Sequence, residues 1–268
     1  MFAAFVLAGL VFDDGALTSS GAPKLLSAHA TVRMVREEVD ITIGEKTAKV
    51  RCKFWFKNAG PGTTVRIGFP EKADGAYDTQ HGEDLEDAER TGKPARLYNQ
   101  LTGFRSWVDG KEAKTKLIAS KDGDPYASYH VKEVPFKKGQ SRLVVDEYTQ
   151  PVGGGITNTQ QSGNRGLHEF GYVLKSGASW HGPIGDVWVT ARFNRKNMGK
   201  HLVAASELTI GKESAFEYDH WDKIPTNHVY YLAPVKPQVT GNALIFHKKN
   251  WKPNMDLHVA FDFSAAPF

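Results

Sequence analysis

From Ala48 to Lys57 the chain alternates without a break. Ala48, Val50, Cys52, Phe54 and Phe56 are interleaved with Lys49, Arg51, Lys53, Trp55 and Lys57. Successive side chains of a strand point to opposite faces, so this segment predicts a half-buried strand with one oily face and one wet, basic face. A chain that repeats such a pattern must fold as sheets that shield one face each. The pattern does recur, and it defines a fold class; it does not identify a reaction.

Val39, Ile41 and Ile43 alternate ahead of Gly44-Glu45-Lys46, which predicts a hairpin with the Ala48–Lys57 strand. Val65, Ile67 and Phe69 form the next strand, with Pro70 expected to end it. Phe104, Trp107 and Val108 precede Asp109-Gly110, a pair that tolerates positive φ and marks a hairpin turn, with Leu117 and Ile118 on the return strand. Further strands are expected at Tyr126–Val134 and Ser141–Tyr148, then at Phe170–Leu174, Val187–Phe193, His228–Leu232, Ala243–Phe246 and Met255–Phe263. His201–Ile210 reads equally as strand or helix. About a dozen strands with little helix predict an all-β, mostly antiparallel β-sandwich, built as one large domain or two packed lobes.

Three stretches depart from the pattern. The polar, small-residue run from Asp13 to Ser27 carries no strand signal, and the first β region is expected at Val32. Glu71–Leu97 holds Glu83, Asp84, Glu86, Asp87 and Glu89 and reads as a solvated loop; a catalytic carboxylate pair there would need a defined separation in a cleft. Pro151–Gly166, with Gly153-Gly154-Gly155, reads as a surface loop or a linker. The expected organisation is residues 13–150 as a first lobe, 151–166 as the connection, and 167–268 as a second lobe packed on the first as one unit. Met1–Phe12 is almost wholly apolar. It is shorter than the roughly 20 residues of a spanning helix. It fits the core of a secretory signal, without the usual basic start or small-x-small cleavage site, and the alternative is a buried first strand. Export to a periplasmic or extracellular compartment is therefore expected, with no later apolar span.

Net charge is +4 from 34 basic and 30 acidic residues, too diffuse for a nucleic-acid stripe. Cys52 is the one cysteine, so no intramolecular disulfide forms, and its place on the apolar side of its strand marks a small buried hydrophobe. Ten histidines occur without metal-ligand spacing; His168-Glu169 and Asp219-His220-Trp221-Asp222 come nearest, and no metal is expected. Asp122-Gly123-Asp124 lacks the remaining ligands of a calcium loop and reads as a turn. Gly153-Gly154-Gly155 has no following Lys-Ser/Thr, so no phosphate loop and no cofactor is expected.

Ser176-Gly177-Ala178-Ser179-Trp180-His181-Gly182-Pro183 places a hydroxyl, an indole and an imidazole between two strands. A Ser179/His181 nucleophile pair lacks both a G-x-S-x-G elbow and an oxyanion signature, so no catalytic residue is assigned. The loop is either a tight corner in which Trp180 plugs the core, or a ligand-binding loop using Ser179, Trp180 and His181. Trp55 and Trp188 fall on outward faces of their strands, where an indole can stack on a sugar ring or meet another protein.

These pieces stand in a definite order. Met34-Val35-Arg36-Glu37-Glu38-Val39-Asp40-Ile41 is followed by Phe56-Lys57-Asn58 and by Ile67-Gly68-Phe69-Pro70. Gly177-Ala178-Ser179-Trp180-His181-Gly182-Pro183-Ile184 comes later, then Asn250-Trp251-Lys252-Pro253 and Asp256-Leu257. The order resembles a family of exported bacterial proteins known only as a domain of unknown function (DUF forty-four twenty-four), over roughly residues 13–263. Gly177–Ile184 is the specific part. Trp251 stands where that family has Phe, and Phe69-Pro70 lacks its second proline. The resemblance implies export and a β-rich fold, and brings no activity or catalytic residues. The function expected is a non-catalytic envelope or extracellular module that binds a glycan or a protein partner, with Ser179, Trp180, His181, Trp55 and Trp188 as candidate contacts. The competing readings are a hydrolase of envelope material using His181 and a carboxylate such as Glu169, and a structural protein without a ligand.

Overall fold

The structure, a computed structural model, describes residues 18–27, 31–73, 101–120, 124, 126, 128–156, 166–202, 204–207 and 227–261. The acidic run Glu83–Glu89, the Asp219–Asp222 cluster and Met1–Phe12 lie outside these residues. The described chain is β-structure with two short 3₁₀ turns, as the alternation predicts. None of the described helices is long and apolar enough to cross a membrane.

The long hairpin of β3 (Val32–Ile43) and β4 (Thr47–Asn58) forms where expected, with Ile41 opposite Val50 and Val39 opposite Cys52. It is the centre of an eight-stranded sheet. On one side of it lie β10 (Ser141–Pro151), β6 (Thr102–Val108) and β7 (Lys111–Glu112); on the other lie β13 (Ile184–Phe193), β17 (Ala243–Trp251) and β16 (Gln238–Thr240). Asp109 and Gly110 make the β6–β7 turn with φ of 51° and 78°. The opposing sheet has ten strands. Its main path runs β14 (Ala204–Glu207), β15 (His228–Leu232), β18 (Leu257–Phe261), β12 (Gly166–Val173), β1 (Thr18–Gly21), β5 (Thr63–Ala73), β9 (Ser128–Phe136), β8 (Lys116–Ala119). Beside this path, β11 (Gly153–Ile156) pairs with β12 and β2 (Lys24–Leu25) with β5. Most pairings are antiparallel; β1 with β12, β3 with β13 and β14 with β15 are parallel.

The two sheets close over one core. Val50, Phe54, Phe56, Ile67, Phe69, Phe170, Val189, Phe193 and Phe261 are all buried, and Lys49, Arg51 and Lys57 stay outside. Both sheets draw strands from either side of 151–166, so the two halves of the chain share every layer.

Several expectations are corrected in detail. The featureless stretch before Val32 contributes β1 and β2, and β1 sits in the middle of its sheet. Pro70 does not end β5: it pairs with Tyr129 inside the strand, and the chain continues to Ala73. Leu117 and Ile118 are not on the return strand of the Asp109-Gly110 hairpin; that strand is the two-residue β7, and the chain then crosses to β8 in the opposing sheet. Gly153-Gly154-Gly155 is not loop but β11, paired with Leu167, His168 and Glu169. Of His201–Ile210, Ala204–Glu207 is strand.

Candidate functional site

The outer face of the eight-stranded sheet carries the candidate site. Because facing residues of neighbouring strands share a row, the register places them directly. One row crosses from Glu112 through Trp107, Val145 and Lys53 to Glu38, and on through Trp188 to His247. The next row holds Trp55, between Arg36 and Leu143. Trp188 and Trp107 are each two strands from Trp55. At about 4.8 Å per strand the three indoles therefore span about 19 Å of sheet, with Trp55 midway and one row aside.

Each indole has a polar neighbour across one ring face. The Trp188 ring stacks on His247 at 3.7 Å with 13° between planes. Its Nε1 donates to Asp186 Oδ2 at 3.0 Å, and His247 Nε2 lies 2.7 Å from Asp186 Oδ1. Burial alone would push the Asp186 carboxyl up, but the bonds from His247 and Trp188 outweigh it and hold the group below its ordinary value. The Arg36 guanidinium lies 5.3 Å over Trp55 and is paired with Glu38. Arg105 lies 4.9 Å over Trp107 and reaches Glu112 at 3.1 Å. Such cation–π contacts contribute about 0.5–1 kcal/mol at exposed sites and fix the tilt of the ring.

Charges on this face are matched. Lys53 lies 3.5 Å from Glu38, and Arg51 pairs with Glu147 across adjacent strands. The result is a sheet face of indoles held among paired charges, with Lys49 and Lys57 exposed beside them. Chemically it can stack on the apolar faces of rings and exchange hydrogen bonds along an extended ligand. Among the described residues no group of three His, Cys, Asp or Glu could hold a metal ion.

The loop singled out by sequence forms the tight corner of its first reading, with Trp180 in the core. Trp180 is 2 % exposed, its ring centroid 4.3 Å from that of Phe56, and its Nε1 donates to the Pro23 carbonyl at 2.7 Å. Ser179 Oγ donates to the Ser176 carbonyl at 2.8 Å and accepts from the Leu25 amide at 2.8 Å. Ser176 is hydrogen-bonded to the Ala22 carbonyl. These side chains hold the N-terminal segment, while His181 stands exposed on the turn that follows.

Glu169 is not brought to this loop. It pairs with Gly153 and Ala260, and β12 carries the chain about 13 Å from Glu169 to Val173 before the loop begins. Burial pushes the Glu169 carboxyl up to about 7. Ser179, His181 and Glu169 therefore do not converge as a hydrolytic set.

Sequence reasoning placed Trp55 and Trp188 on outer faces and missed Trp107 and His247. Trp107 carries a local signal: it stands two residues from Arg105, on the same face of its strand. His247 carries none, because its place depends on the pairing of β13 with β17 some 60 residues away.

Comparison with known proteins adds a fold neighbour. A crystal structure from Legionella pneumophila, described as a "putative nutrient binding protein", is similar over 93 % of this chain and 73 % of its own, with a TM-score of 0.64 and 17 % identity. An M1 zinc metallopeptidase from Deinococcus radiodurans matches 87 % of this chain and 42 % of its own at a TM-score of 0.35 and 7 % identity. Yeast LTA4 hydrolase matches 88 % and 30 % at 0.40 and 8 %. The first similarity shows a shared fold; the other two are too remote to bear on it. No family model matches the chain, and no curated protein matches it.

Proposed function

We propose that this protein is a non-catalytic binding module whose recognition surface is the outer face of the eight-stranded sheet, and that its ligand is an extended glycan of the cell envelope or its surroundings. The observation that carries this reading is the presence of Trp55, Trp107 and Trp188 on one sheet face, each braced by a neighbouring polar side chain. Three of the six tryptophans stand there, Trp188 exposed and Trp55 and Trp107 half-buried, and a partner that covers indole rings gives them a role. A fold neighbour described as nutrient binding is compatible with a binding module. Export belongs to the same proposal and rests on the apolar Met1–Phe12 and on the family resemblance. Any processing would have to leave Thr18 onward intact, since β1 is a central strand.

The test is affinity electrophoresis of the protein through gels carrying soluble polysaccharides, with Trp55→Ala, Trp107→Ala and Trp188→Ala compared singly and together. Retardation by at least one polysaccharide, lost in the triple variant, is expected. No retardation by any polysaccharide, together with a protein partner recovered in a wild-type pull-down that the triple variant fails to recover, would replace the glycan by a protein on the same face. Full retardation of the triple variant would remove the face from the function. N-terminal sequencing of the protein from an envelope fraction tests export.

A further inference from the structure

We propose that the slot between β5 and β12 is a strand-acceptor site, filled within one chain by residues 18–25 and able to take the same segment from a second copy. In the main path of the ten-stranded sheet, β12 and β5 are joined only through β1 among the described residues. That strand is four residues long, parallel to β12 through Ser19–Gly171, Ser20–Tyr172 and Gly21–Val173, and antiparallel to β5 through Ser20–Glu71. A four-residue strand thus closes a ten-stranded sheet.

The segment docks on a seat made by distant parts of the chain. Ser20 Oγ donates to Gln150 Oε1 at 2.7 Å, 130 residues away, inside the core. The Ala22 amide donates to the Val173 carbonyl at 2.6 Å. Trp180 and Ser176 donate to the carbonyls of Pro23 and Ala22, and Ser179 accepts from Leu25. Lys24 Nζ then closes the far end on Asp124 at 2.9 Å and Tyr129 at 3.0 Å. Most of these bonds go to the segment's backbone, and strand addition recognises peptides in this way.

The seat still selects sequence. A Cβ on Gly21 would run into the backbone of Val173, so glycine is required at that position. Ala22 is fully buried, which admits only a small side chain. Ser, Gly, Ala and Pro are weak strand formers, so the segment has little strand preference of its own, and the seat supplies it. A ligand whose order comes from its seat makes identical contacts whichever copy it belongs to. Exchange between copies therefore costs only the loss of the tether, the low-cost route by which identical elements swap.

The test keeps the full chain. A specific protease site replaces Ala28–Ala30, and the folded protein is cut there. A fluorescent peptide spanning residues 18–27 is then added and followed by anisotropy. Saturable uptake is expected, competed by unlabelled peptide and weakened at least tenfold when the peptide carries Gly21→Val. In parallel, two isotopically distinct preparations of the uncut chain are mixed at high concentration and read by native mass spectrometry, where a mixed dimer is expected that excess peptide suppresses. Failure of the cut chain to take up peptide, or equal uptake of the Gly21→Val peptide, would overturn the acceptor site. Peptide uptake without any mixed dimer would overturn the second copy as its occupant.

Discussion

Ionisable groups on the outer face of the eight-stranded sheet and between the two sheets sit under different physics. On the outer face of the eight-stranded sheet, Arg51–Glu147, Lys53–Glu38 and Arg105–Glu112 are open to water. Between the sheets, Lys132 Nζ of β9 meets Asp146 of β10 at 2.7 and 2.8 Å, with side-chain exposures of 1 % and 0 %. Close by in the core, Glu37 accepts from the Tyr172 hydroxyl at 3.1 Å, and Cys52 Sγ lies 3.5 Å from that same hydroxyl. Water screens the first set, so its members are worth little one at a time and are free to be disposed for recognition. The second set has lost its hydration, so each charge depends on its partner. The same residue types thus tune a surface in one place and make the core dependent on exact pairing in the other.

Glu37 gives the largest expected contrast. Burial pushes its carboxyl up to about 8 from an ordinary 4.5, with the Tyr172 bond opposing only in part. The folded state therefore holds the proton more tightly than the unfolded chain. Stability is full below the unfolded value near pH 4.5, falls as pH rises towards 8, and levels above it. The whole descent is on the order of 5 kcal/mol. Glu37→Gln keeps an acceptor for Tyr172 without a charge to bury, so its urea midpoint at pH 9 should exceed that of the wild type and the slope between pH 5 and 8 should flatten. Equal slopes in the two proteins would show that Glu37 reaches water.

Lys132 comes next. Lys132→Met leaves the Asp146 carboxylate buried without its cation and should cost about 3–5 kcal/mol in urea unfolding, while Lys132→Met with Asp146→Leu should recover most of it. A cost below about 1 kcal/mol for the single change would place this pair in the same class as the surface pairs.

These buried groups also mark where the sequence stops being legible. Alternation identified the core faces of β3, β4, β13 and β18, because Val, Ile and Phe at every second position leave a strand one way to lie. It could not flag Lys132. The run Tyr129-His130-Val131-Lys132-Glu133-Val134 puts Tyr129 and Val131 on the opposite face from Lys132, where they pack in a small second cluster with Tyr126 and Val173. The lysine side is the one that enters the sandwich. Nor could alternation find β1, since Ser20, Gly21 and Ala22 carry no pattern and owe their strand to a seat assembled from β5, β12 and Gln150. At the candidate site Trp55 and Trp188 were legible as outward residues of clean strands. Their company, Trp107 and His247, was not, because rows across a sheet join residues from distant parts of the chain.

The outer indoles should separate stability from binding. Trp188→Ala removes a stack on His247 at the surface and should cost about 1 kcal/mol or less in unfolding, whereas Trp180→Ala opens a hole against Phe56 in the core and should cost about 3–5 kcal/mol. If Trp188 serves recognition, its loss should weaken ligand retention about tenfold, roughly 1.4 kcal/mol, while the melting curve barely moves.

The smallest effect is the sharpest check on the outer face. Arg51 and Glu147 stand on adjacent strands, with side chains 52 % and 34 % exposed. In a double-mutant cycle of Arg51→Ala and Glu147→Ala, the coupling should lie between about 0.2 and 1 kcal/mol and shrink further at 1 M salt, where the screening length is about 3 Å. Desolvation is the main difference between this pair and Lys132–Asp146. A coupling above about 2 kcal/mol that resists salt would mean that water does not reach this part of the face. It would then be covered by a partner even in the purified protein, and the place to look for that partner would be the part of the face between Trp55 and Trp107.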